Sequence, residues 1–262
     1  MLAKLASLSP AEKARGVISV SAGNAAQAVA WACALEGLDC LVVMWRDASE
    51  QKVAATRAYG AAVDLEVEDK ALAFARAEEL REASGRAFVH PYDDPMLIAG
   101  HASLGREVVE DCPDVDVIVV PVGGGGLVSG VALGAPAARV VGVEPEGSRA
   151  LNAALAAGRP VPVEPDSVAD ALSAPFAGSH VLEVCRARGV ESVLVTDEEI
   201  EAGFRLLYER AKLAAEPGGA AGVAALLAGK VPGVEGATVA VVVSGGNVSA
   251  QTASDILKRN PL

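Results

Sequence analysis

Short apolar runs alternate with stretches of helical pattern along the whole chain. Apolar runs of about four to eight residues, bounded by Gly, Pro or charge, predict buried strands. We predict strands at VISV (17–20), CLVVM (40–44), AAVDL (61–65), AFVH (87–90), VDVIVVPV (115–122), RVVGVE (139–144), SVLVT (192–196) and TVAVVVS (238–244). We predict helices over residues 24–37, 49–59, 70–84, 95–111, 127–134, 179–189, 197–212 and 218–229, followed by a final C-terminal helix. Because strands and helices alternate, the pattern predicts an α/β protein with mostly parallel, doubly wound sheets.

Local signals mark several element ends. Asp47-Ala-Ser precedes the helix predicted at 49 and is typical of an N-terminal cap. TDEE at 196–199 is a capping box, which predicts the start of the following helix. Residues 158–178 contain several prolines, and we predict a long irregular connection there.

Composition and charge narrow the class of protein. The chain has 262 residues, of which 52% are hydrophobic and 3% aromatic, enough for one large domain or two small ones. The net charge is −12 and no segment concentrates Lys and Arg, so nucleic acid and anionic membranes are poor candidate partners. No apolar run reaches the length of a membrane span, and the N-terminus lacks a signal-peptide core, so we expect a cytoplasmic protein. The cysteines are isolated in apolar contexts, which favours buried thiols: Cys33, Cys40, Cys112 and Cys185.

Three predicted strand ends are rich in glycine. They are SAGN at 21–24, PVGGGGLVSG at 121–130 and VSGGNVS at 243–249. Ligands of open α/β sheets bind beyond the carboxyl ends of the strands. Four consecutive glycines leave no side chain in the way, and the backbone amides before a helix can surround an anion. We therefore predict a phosphate site at Gly123–Gly126.

Other interpretations of these glycines are weaker or remain open. The spacing is not that of a P-loop, because no Gly-Lys-Ser or Gly-Lys-Thr follows, and it fits GxGxxG poorly. Glycines also serve simply to make tight turns. For SAGN and SGGN taken alone, a tight turn and a ligand contact are equally plausible.

Taken together and in this order, the motifs resemble those of the threonine dehydratase and serine racemase family, fold-type-II enzymes that depend on pyridoxal phosphate. The family turn S-S-G-N-H-A-Q-G-V-A is matched by SAGNAAQAVA, its G-G-G-G-L by residues 123–127 and its S-G-G-N by residues 244–247. LSPAEKARGV, IAGHASLGRE, VGVEPEGS and EPGGAAGVAAL are also similar to family segments, so the resemblance covers essentially the whole chain. It implies a two-domain fold with a small α/β domain at 16–94 and a large one formed by 1–15 and 95–262.

The resemblance also implies roles for individual residues. Gly123 to Gly126 (Gly123, Gly124, Gly125 and Gly126) would hold the phosphate of pyridoxal phosphate. Asn24 would face the ring hydroxyl, and Ser244 would hydrogen-bond the ring nitrogen. Ser21, Gly23 and Asn24 would lie near the substrate carboxylate.

The chain also departs from the family pattern. The family's Schiff-base lysine lies in S-F-K-x-R-G-A, just before the segment that matches the first residues here. We therefore expect that lysine and the N-terminal segment of the larger domain to be missing, and normal elimination chemistry to be lost with them. Ala25 replaces the family histidine after Asn24, and Ala171 replaces a glycine. His101 and Ser103 stand where relatives usually have Gln and Thr.

Two further groups of residues bear on the cofactor. The lysines that might replace the missing anchor are Lys4, Lys13, Lys52, Lys70, Lys212, Lys230 and Lys258. Solvated side chains are the simpler interpretation for most of them, and Lys4 is nearest in sequence to the missing motif. Glu216 matches a metal-ligand glutamate of relatives, but Gly222 stands where a second acidic ligand is expected, so we predict no metal site.

Two alternative functions remain open. In the first, the cleft works as a carboxylesterase-like hydrolase, with Ser21, Ser103 or Ser244 as nucleophile and His101 as base, although no GxSxG elbow is present. His101 and Ser103 are two residues apart on a predicted helix, so they point to different faces. His90 and His180 are the other imidazoles. In the second, the protein binds a small molecule without catalysis.

We also expect a homodimer or a larger homo-oligomer. A parallel sheet without one of its segments exposes an edge and apolar surface, and a second copy would cover both.

Overall fold

The structure is a computed structural model that describes residues 1–259. The chain forms two compact units, the N-terminal unit of residues 1–100 and the C-terminal unit from His101 onward. The assignment of residues 1–15 to the larger domain, with a small domain at 16–94, stays a prediction.

The N-terminal unit is built on a four-stranded sheet. Its strands are β1 (Val17–Val20), β2 (Cys40–Trp45), β3 (Ala62–Val67) and β4 (Ala87–Val89). Their order is β3-β2-β1-β4 and every pair is parallel, with Val17 opposite both Cys40 and Ala87. The helices are α1 (Leu2–Ala6), α2 (Pro10–Arg15), α3 (Asn24–Glu36), α4 (Glu50–Ala58) and α5 (Ala73–Ser84), which follows a 3-10 turn at Lys70–Leu72. The strand β1 is buried along its whole length, which agrees with its continuous apolar run.

The C-terminal unit repeats this plan. Its strands are β5 (Val117–Pro121), β6 (Arg139–Pro145), β7 (Glu191–Val195) and β8 (Val239–Val241). They form a second parallel sheet in the order β7-β6-β5-β8. Helix α6 (Pro95–Asp111) carries the boundary between the units and is followed by α7 (Gly126–Gly134), α8 (Ala150–Ala157), α9 (Ser179–Ala187), α10 (Asp197–Leu206), α11 (Pro217–Leu227) and α12 (Ala250–Lys258). A 3-10 turn at Asp170–Leu172 interrupts the irregular connection.

The predicted fold class is confirmed. Each predicted strand and helix has a counterpart, and all strand pairs of both sheets are parallel. The capping box is present, since Thr196 Oγ1 accepts from the Glu199 amide at 3.2 Å and Glu199 Oε2 accepts from the Thr196 amide at 2.7 Å. Ser49 is the N-cap of α4, although its side chain makes no capping hydrogen bond.

Some predicted bounds are wrong. The strand predicted at 238–244 ends at Val241, and the backbone of Ser244 and Gly245 then lies close to Gly219 in the first turn of α11. The helix predicted at 197–212 gives way after Leu206 to a π-helical turn, which ends at Lys212 in the left-handed conformation with φ 59°. Helices α2 and α8 have no counterpart among the predicted helices.

The expectation of buried thiols is confirmed for Cys33, Cys40 and Cys185, whereas Cys112 is only half-buried. Across residues 1–259, no helix has both the length and the apolar character needed to cross a membrane.

Candidate functional site

The tetraglycine segment joins β5 to α7. Strand β5 is buried throughout, and the amide of Val122 extends its pairing by donating to the Val143 carbonyl at 2.8 Å. Gly125 then turns the chain with φ 91° and is the N-cap of α7. Because a helix N-terminus presents free N–H groups and a positive dipole end, this junction suits an anion.

The amides of the tetraglycine segment have no protein acceptor. Within residues 1–259, no carbonyl or side-chain oxygen accepts a hydrogen bond from the backbone N–H groups of Gly123 to Gly126. Gly124, Gly125 and Gly126 are buried. Buried backbone donors are almost always paired, so these groups call for an acceptor that is not part of the chain.

Side chains are excluded from the segment by its neighbours. A Cβ atom at Gly123 would lie 3.2 Å from the Cα of Leu172, and one at Gly125 would lie 2.4 Å from Cγ1 of Val181. Glycine is therefore required by packing at both positions, and at Gly125, with φ 91°, also by backbone conformation.

Ser244 follows a neighbouring strand. Strand β8 pairs with β5, with Val117 opposite Val239, so Gly123 and Ser244 follow parallel neighbours at the same edge of the sheet. The next residue, Gly245, accepts a hydrogen bond from the Glu216 amide at 2.9 Å. Ser244 is exposed, and within the described chain its hydroxyl makes no hydrogen bond.

In the N-terminal unit, SAGN forms the turn between β1 and α3. The Ser21 amide donates to the Val43 carbonyl at 3.2 Å, and Ser21 Oγ accepts from the Gly23 amide at 3.0 Å. Gly23 is the N-cap of α3 and supplies no side-chain cap, and Asn24 is exposed in the first turn. This turn leaves the start of α3 open to a polar group.

The three histidines have different environments. His90 Nδ1 accepts from the amides of Tyr92 and Asp93, at 3.3 and 2.9 Å, which ties the ring to a turn. Burial lowers the pKa of the His101 imidazole, and a hydrogen bond with the backbone of Gly126 opposes this shift. His180 is exposed in the first turn of α9.

The serines and histidines do not form a catalytic pair. Among residues 1–259, no hydrogen bond joins Ser21, Ser103 or Ser244 to an imidazole. Ser103 is exposed on α6, and His101 lies two residues earlier on the same helix, partly buried. No contact of these side chains therefore favours the hydrolase alternative.

Lys4 is engaged in an ion pair inside the N-terminal unit. Its Nζ lies 2.7 Å from Oδ2 of Asp94, and both side chains are mostly buried. The other carboxylate oxygen of Asp94 accepts from the amides of Met96 and Leu97 at the start of α6, at 2.9 and 3.2 Å. Release of Lys4 would therefore leave a partly buried carboxylate without its cation.

Several supporting residues were missed by the sequence reasoning. Ser129 and Val181 contact the tetraglycine segment from α7 and α9. Glu144, at the end of β6, is fully buried and accepts from the amides of Leu151 and Asn152 at 2.7 and 2.8 Å. Burial raises the pKa of Glu144 to about 7, although its hydrogen bonds oppose the shift. The four glycines carry a signal in the sequence, whereas these residues depend on contacts between distant segments.

Comparisons with known proteins agree with these motifs. A family model described as pyridoxal-phosphate dependent enzyme matches residues 1–245. The chain is 41% identical over 261 residues to the L-threonine ammonia-lyase of Thermotoga maritima, covering 98% of this chain and 65% of that protein. It is 38% identical over 259 residues to the catabolic L-threonine dehydratase TdcB of Escherichia coli, covering 97% of this chain and 79% of that protein. The structure of maize serine racemase superposes with a TM-score of 0.90 at 31% identity, covering 97% of this chain and 80% of that one.

Proposed function

Because this chain belongs to the family of pyridoxal-phosphate-dependent enzymes, we propose that it is a threonine/serine dehydratase-like member whose Gly123–Gly126 segment holds the cofactor phosphate. One observation carries the proposal: buried amides at a helix N-terminus lack acceptors within residues 1–259. A phosphate supplies several oxygen acceptors and a negative charge, which the amides and the helix dipole stabilise together. The residues present therefore fit this group.

We propose the remaining contacts from the residues at the glycine-rich strand ends. The hydroxyl of Ser244 would hydrogen-bond the ring nitrogen, as a neutral partner. Asn24 would face the ring hydroxyl. Ser21, Gly23 and Asn24 would receive the carboxylate of an amino-acid substrate. The open start of α3 supports that last role, since backbone N–H groups there are suited to an anion.

The chemistry available to these 262 residues by themselves is narrower than that of the named relatives. When bound, pyridoxal phosphate acts as an electron sink for bonds at the substrate α-carbon. The S-F-K-x-R-G-A motif, which resemblance to the family makes the source of the anchoring lysine, is not among these residues. We propose that they bind the cofactor without a covalent anchor and do not by themselves release ammonia from threonine or serine.

The direct test is retention of pyridoxal phosphate by the purified protein. After incubation and dialysis, the visible absorption spectrum should show bound pyridoxal phosphate, whereas pyridoxal, which lacks the phosphate, should be removed. Inorganic phosphate should displace the bound cofactor. Equal retention of both compounds, or retention of neither, contradicts a phosphate cradle at Gly123–Gly126.

Borohydride reduction followed by intact-mass analysis tests the absence of a covalent anchor. We expect no stoichiometric adduct. If one forms, peptide mapping identifies the lysine, and Lys4→Arg is the matched variant, because arginine keeps a cation beside Asp94. An adduct that disappears in K4R would assign the anchoring role to Lys4 and overturn this part of the proposal.

The homo-oligomer also stays a prediction. Light scattering should give a mass of at least twice 26.4 kDa. A stable monomer would contradict it.

A further inference from the structure

Gly125, the N-cap of α7, and Ser129 lie one turn apart and both contact α9. Their partners on α9 are Val181 and Cys185, which are also four residues apart. A Cβ atom at Gly125 would lie 2.4 Å from Cγ1 of Val181, and Oγ of Ser129 lies 3.4 Å from Sγ of Cys185. Because residues four apart on a helix share a face, the two pairs form one contact between α7 and α9 at the tetraglycine segment.

The hydroxyl proton of Ser129 is donated to the Gly125 carbonyl. Ser129 is fully buried, and its Oγ lies 2.8 Å from the Gly125 carbonyl oxygen but 3.5 Å from that of Val181. A hydroxyl has one proton to donate, and 2.8 Å is the usual distance of an O–H···O bond. The donation therefore goes to Gly125, and the lone pairs of Oγ are left to accept from Cys185.

Cys185 stays a thiol that can donate to Ser129. Burial raises the pKa of the Cys185 thiol to about 11, and the hydrogen bond with Ser129 opposes only part of that shift. The S–H proton is therefore present near neutral pH, and a thiol is a weak donor. At 3.4 Å from Oγ, this donor holds the Ser129 hydroxyl in the orientation in which it donates to Gly125.

The Gly125 carbonyl and the Gly126 N–H belong to one peptide unit. Because a trans peptide is planar, its C=O and N–H bonds point in opposite directions. The carbonyl accepts from the Ser129 hydroxyl and, at 3.1 Å, from the Ser129 amide. The Gly126 N–H donates no hydrogen bond within residues 1–259. The two donors on the carbonyl thus fix the direction of this amide and polarise the peptide toward an outside acceptor.

We propose that Ser129 is a positioning residue of the anion cradle at Gly123–Gly126: its hydroxyl holds the Gly125 carbonyl so that the Gly126 N–H is directed at a bound phosphate. The inference rests on the proposed function, because it takes the phosphate of the cofactor as the occupant of the cradle. Glycine loses more conformational freedom on ordering than any other residue. A donor that fixes this peptide before the anion binds therefore lowers the ordering cost of binding.

The test compares two substitutions of Ser129. Ser129→Ala removes the hydroxyl, while the backbone amide at that position still donates to the Gly125 carbonyl. Ser129→Thr keeps a hydroxyl that, within a helix, can bond the carbonyl four residues earlier. Ser19→Ala is the matched control, because the buried Ser19 hydroxyl donates to the Val89 carbonyl at 2.7 Å in the N-terminal unit. Calorimetry measures the affinity for pyridoxal phosphate and for inorganic phosphate, with pyridoxal as the probe without phosphate.

We expect S129A to weaken the binding of both phosphate-containing probes about fivefold, the effect of one hydrogen bond at a preorganised site. S129T should recover most of that loss. S19A should bind both probes like the unaltered protein, even though its melting temperature is lower. The affinity for pyridoxal should be the same in all of these proteins.

Amide proton shifts give a measurement that packing alone does not change. In the ¹⁵N-labelled unaltered protein, inorganic phosphate should move the Gly126 amide proton downfield, because this donor gains an anionic acceptor. At saturating phosphate the displacement should be smaller in S129A, whereas the displacement at Gly124 should be the same in both proteins. If the added methyl group of S129T prevents folding, which its melting temperature shows, the Gly126 displacement in S129A decides the question.

Two results overturn the inference and leave the proposed function standing. In the first, the unaltered protein binds both phosphate-containing probes and S129A binds them equally well, so the hydroxyl has no positioning role. In the second, S129A binds more weakly, but its Gly126 displacement equals that of the unaltered protein or a folded S129T is as weak as S129A, so the effect comes from packing. If the unaltered protein binds neither phosphate-containing probe, the proposed function fails together with the inference.

Discussion

Val181 and Gly125 meet so closely that a methyl group on Gly125 would lie 2.4 Å from the Cγ1 atom of Val181. The backbone of Gly125 also has φ 91°, a region that L-residues adopt at a cost. Both constraints act at the N-cap residue of α7, where the buried amides of the tetraglycine segment donate no hydrogen bond within residues 1–259. Val181 of helix α9 therefore packs directly against the tetraglycine segment.

Gly125→Ala should therefore disable the cradle. Left-handed strain costs about 1–2 kcal/mol, and overpacking against a buried side chain costs about 1–3 kcal/mol more. We expect a lower melting temperature and no retained pyridoxal phosphate after dialysis. Gly229→Ala is the matched control, because Gly229 has φ 66° but no atom within 4 Å of an added Cβ. If G125A retains the cofactor like G229A, the contact with Val181 does not constrain the site.

The phosphate cradle at Gly123–Gly126 can be predicted from the sequence because the residues that identify it are consecutive in the chain. A buried aliphatic strand followed by four glycines and a helix is readable without any knowledge of packing. The hydroxyl of Ser129 and the methyl groups of Val181 are not readable in this way. Val181 comes from a segment 52 residues after Ser129 in the chain. Its relation to the glycines arises only when α9 packs on α7.

Glu144 makes the stability of the C-terminal unit depend on pH. Its folded-state pKa is raised by burial from 4.5 to about 7. The folded protein therefore keeps a proton on Glu144 at pH values where the unfolded chain has lost it. The stability linked to that proton is fully present below pH 4.5 and is lost as the pH rises through about 7. The full effect is about 3 kcal/mol.

Glu144→Gln should remove that dependence. The amide side chain does not titrate, so the difference in unfolding free energy between the unaltered protein and E144Q should shift by about 3 kcal/mol between acidic and mildly alkaline pH. E144Q also loses an acceptor for the amides at the start of α8, an offset that is the same at every pH. Glu183→Gln, at an exposed position on α9, is the control. Parallel pH profiles for E144Q and the unaltered protein would show that Glu144 keeps its ordinary pKa.

The close contact between α6 and α7 predicts opposite outcomes for two glycines of one helix. At Gly105, an added methyl group would meet the backbone of Val131 and Ala135, at 2.5 and 3.0 Å. At Gly100, it would meet the methyl group of Ala3 at 3.3 Å. Because alanine is favoured in helices by about 1 kcal/mol, Gly100→Ala should be neutral or slightly stabilising. Gly105→Ala should destabilise by about 2 kcal/mol or more, since the backbone of α7 must shift.

Urea unfolding followed by circular dichroism compares the two variants. G105A should also weaken phosphate binding, because Gly105 packs against the backbone of α7, and the first residue of α7 ends the tetraglycine segment. Equal stability of G105A and G100A would mean that α6 and α7 separate at little cost, and that α6 does not fix the cradle.

The short helices α2 and α8 differ in whether a local sequence pattern predicts where the helix begins. Helix α2 has its own capping box, with Ser9 and Glu12 exchanging hydrogen bonds and Pro10 in the first turn, so its sequence signal was available although it was missed. Helix α8 has no capping side chain of this kind. Its first amides are bound by Glu144, seven residues before Leu151, across the end of β6. A partner of that kind is defined by the fold, and a local pattern does not identify it.

Arg205 forms hydrogen bonds with the C-terminal end of helix α12. Its Nη1 donates to the carbonyl of Ile256 at 3.3 Å and to that of Arg259 at 2.8 Å, where α12 ends. The Ile256 carbonyl also accepts from the Arg259 amide at 3.2 Å, and a cation is favoured at this end of the helix dipole. Arg205 is also paired with Glu201 at 3.7 Å, and both residues are buried.

Arg205→Met should therefore loosen α12 more than it affects either sheet. Loss of two hydrogen bonds from a charged donor, with Glu201 left buried, costs about 3–5 kcal/mol. Arg259 still pairs with Glu201 at 3.0 Å and offsets part of this cost. Hydrogen exchange should become faster for the α12 amides, while the amides of β5 and β6 keep their protection. Arg210→Met, at an exposed position just beyond α10, should leave both unchanged. Uniform loss of protection across both sheets in R205M would contradict a role confined to α12, because it would mean that the last helix is part of the core on which the second sheet depends.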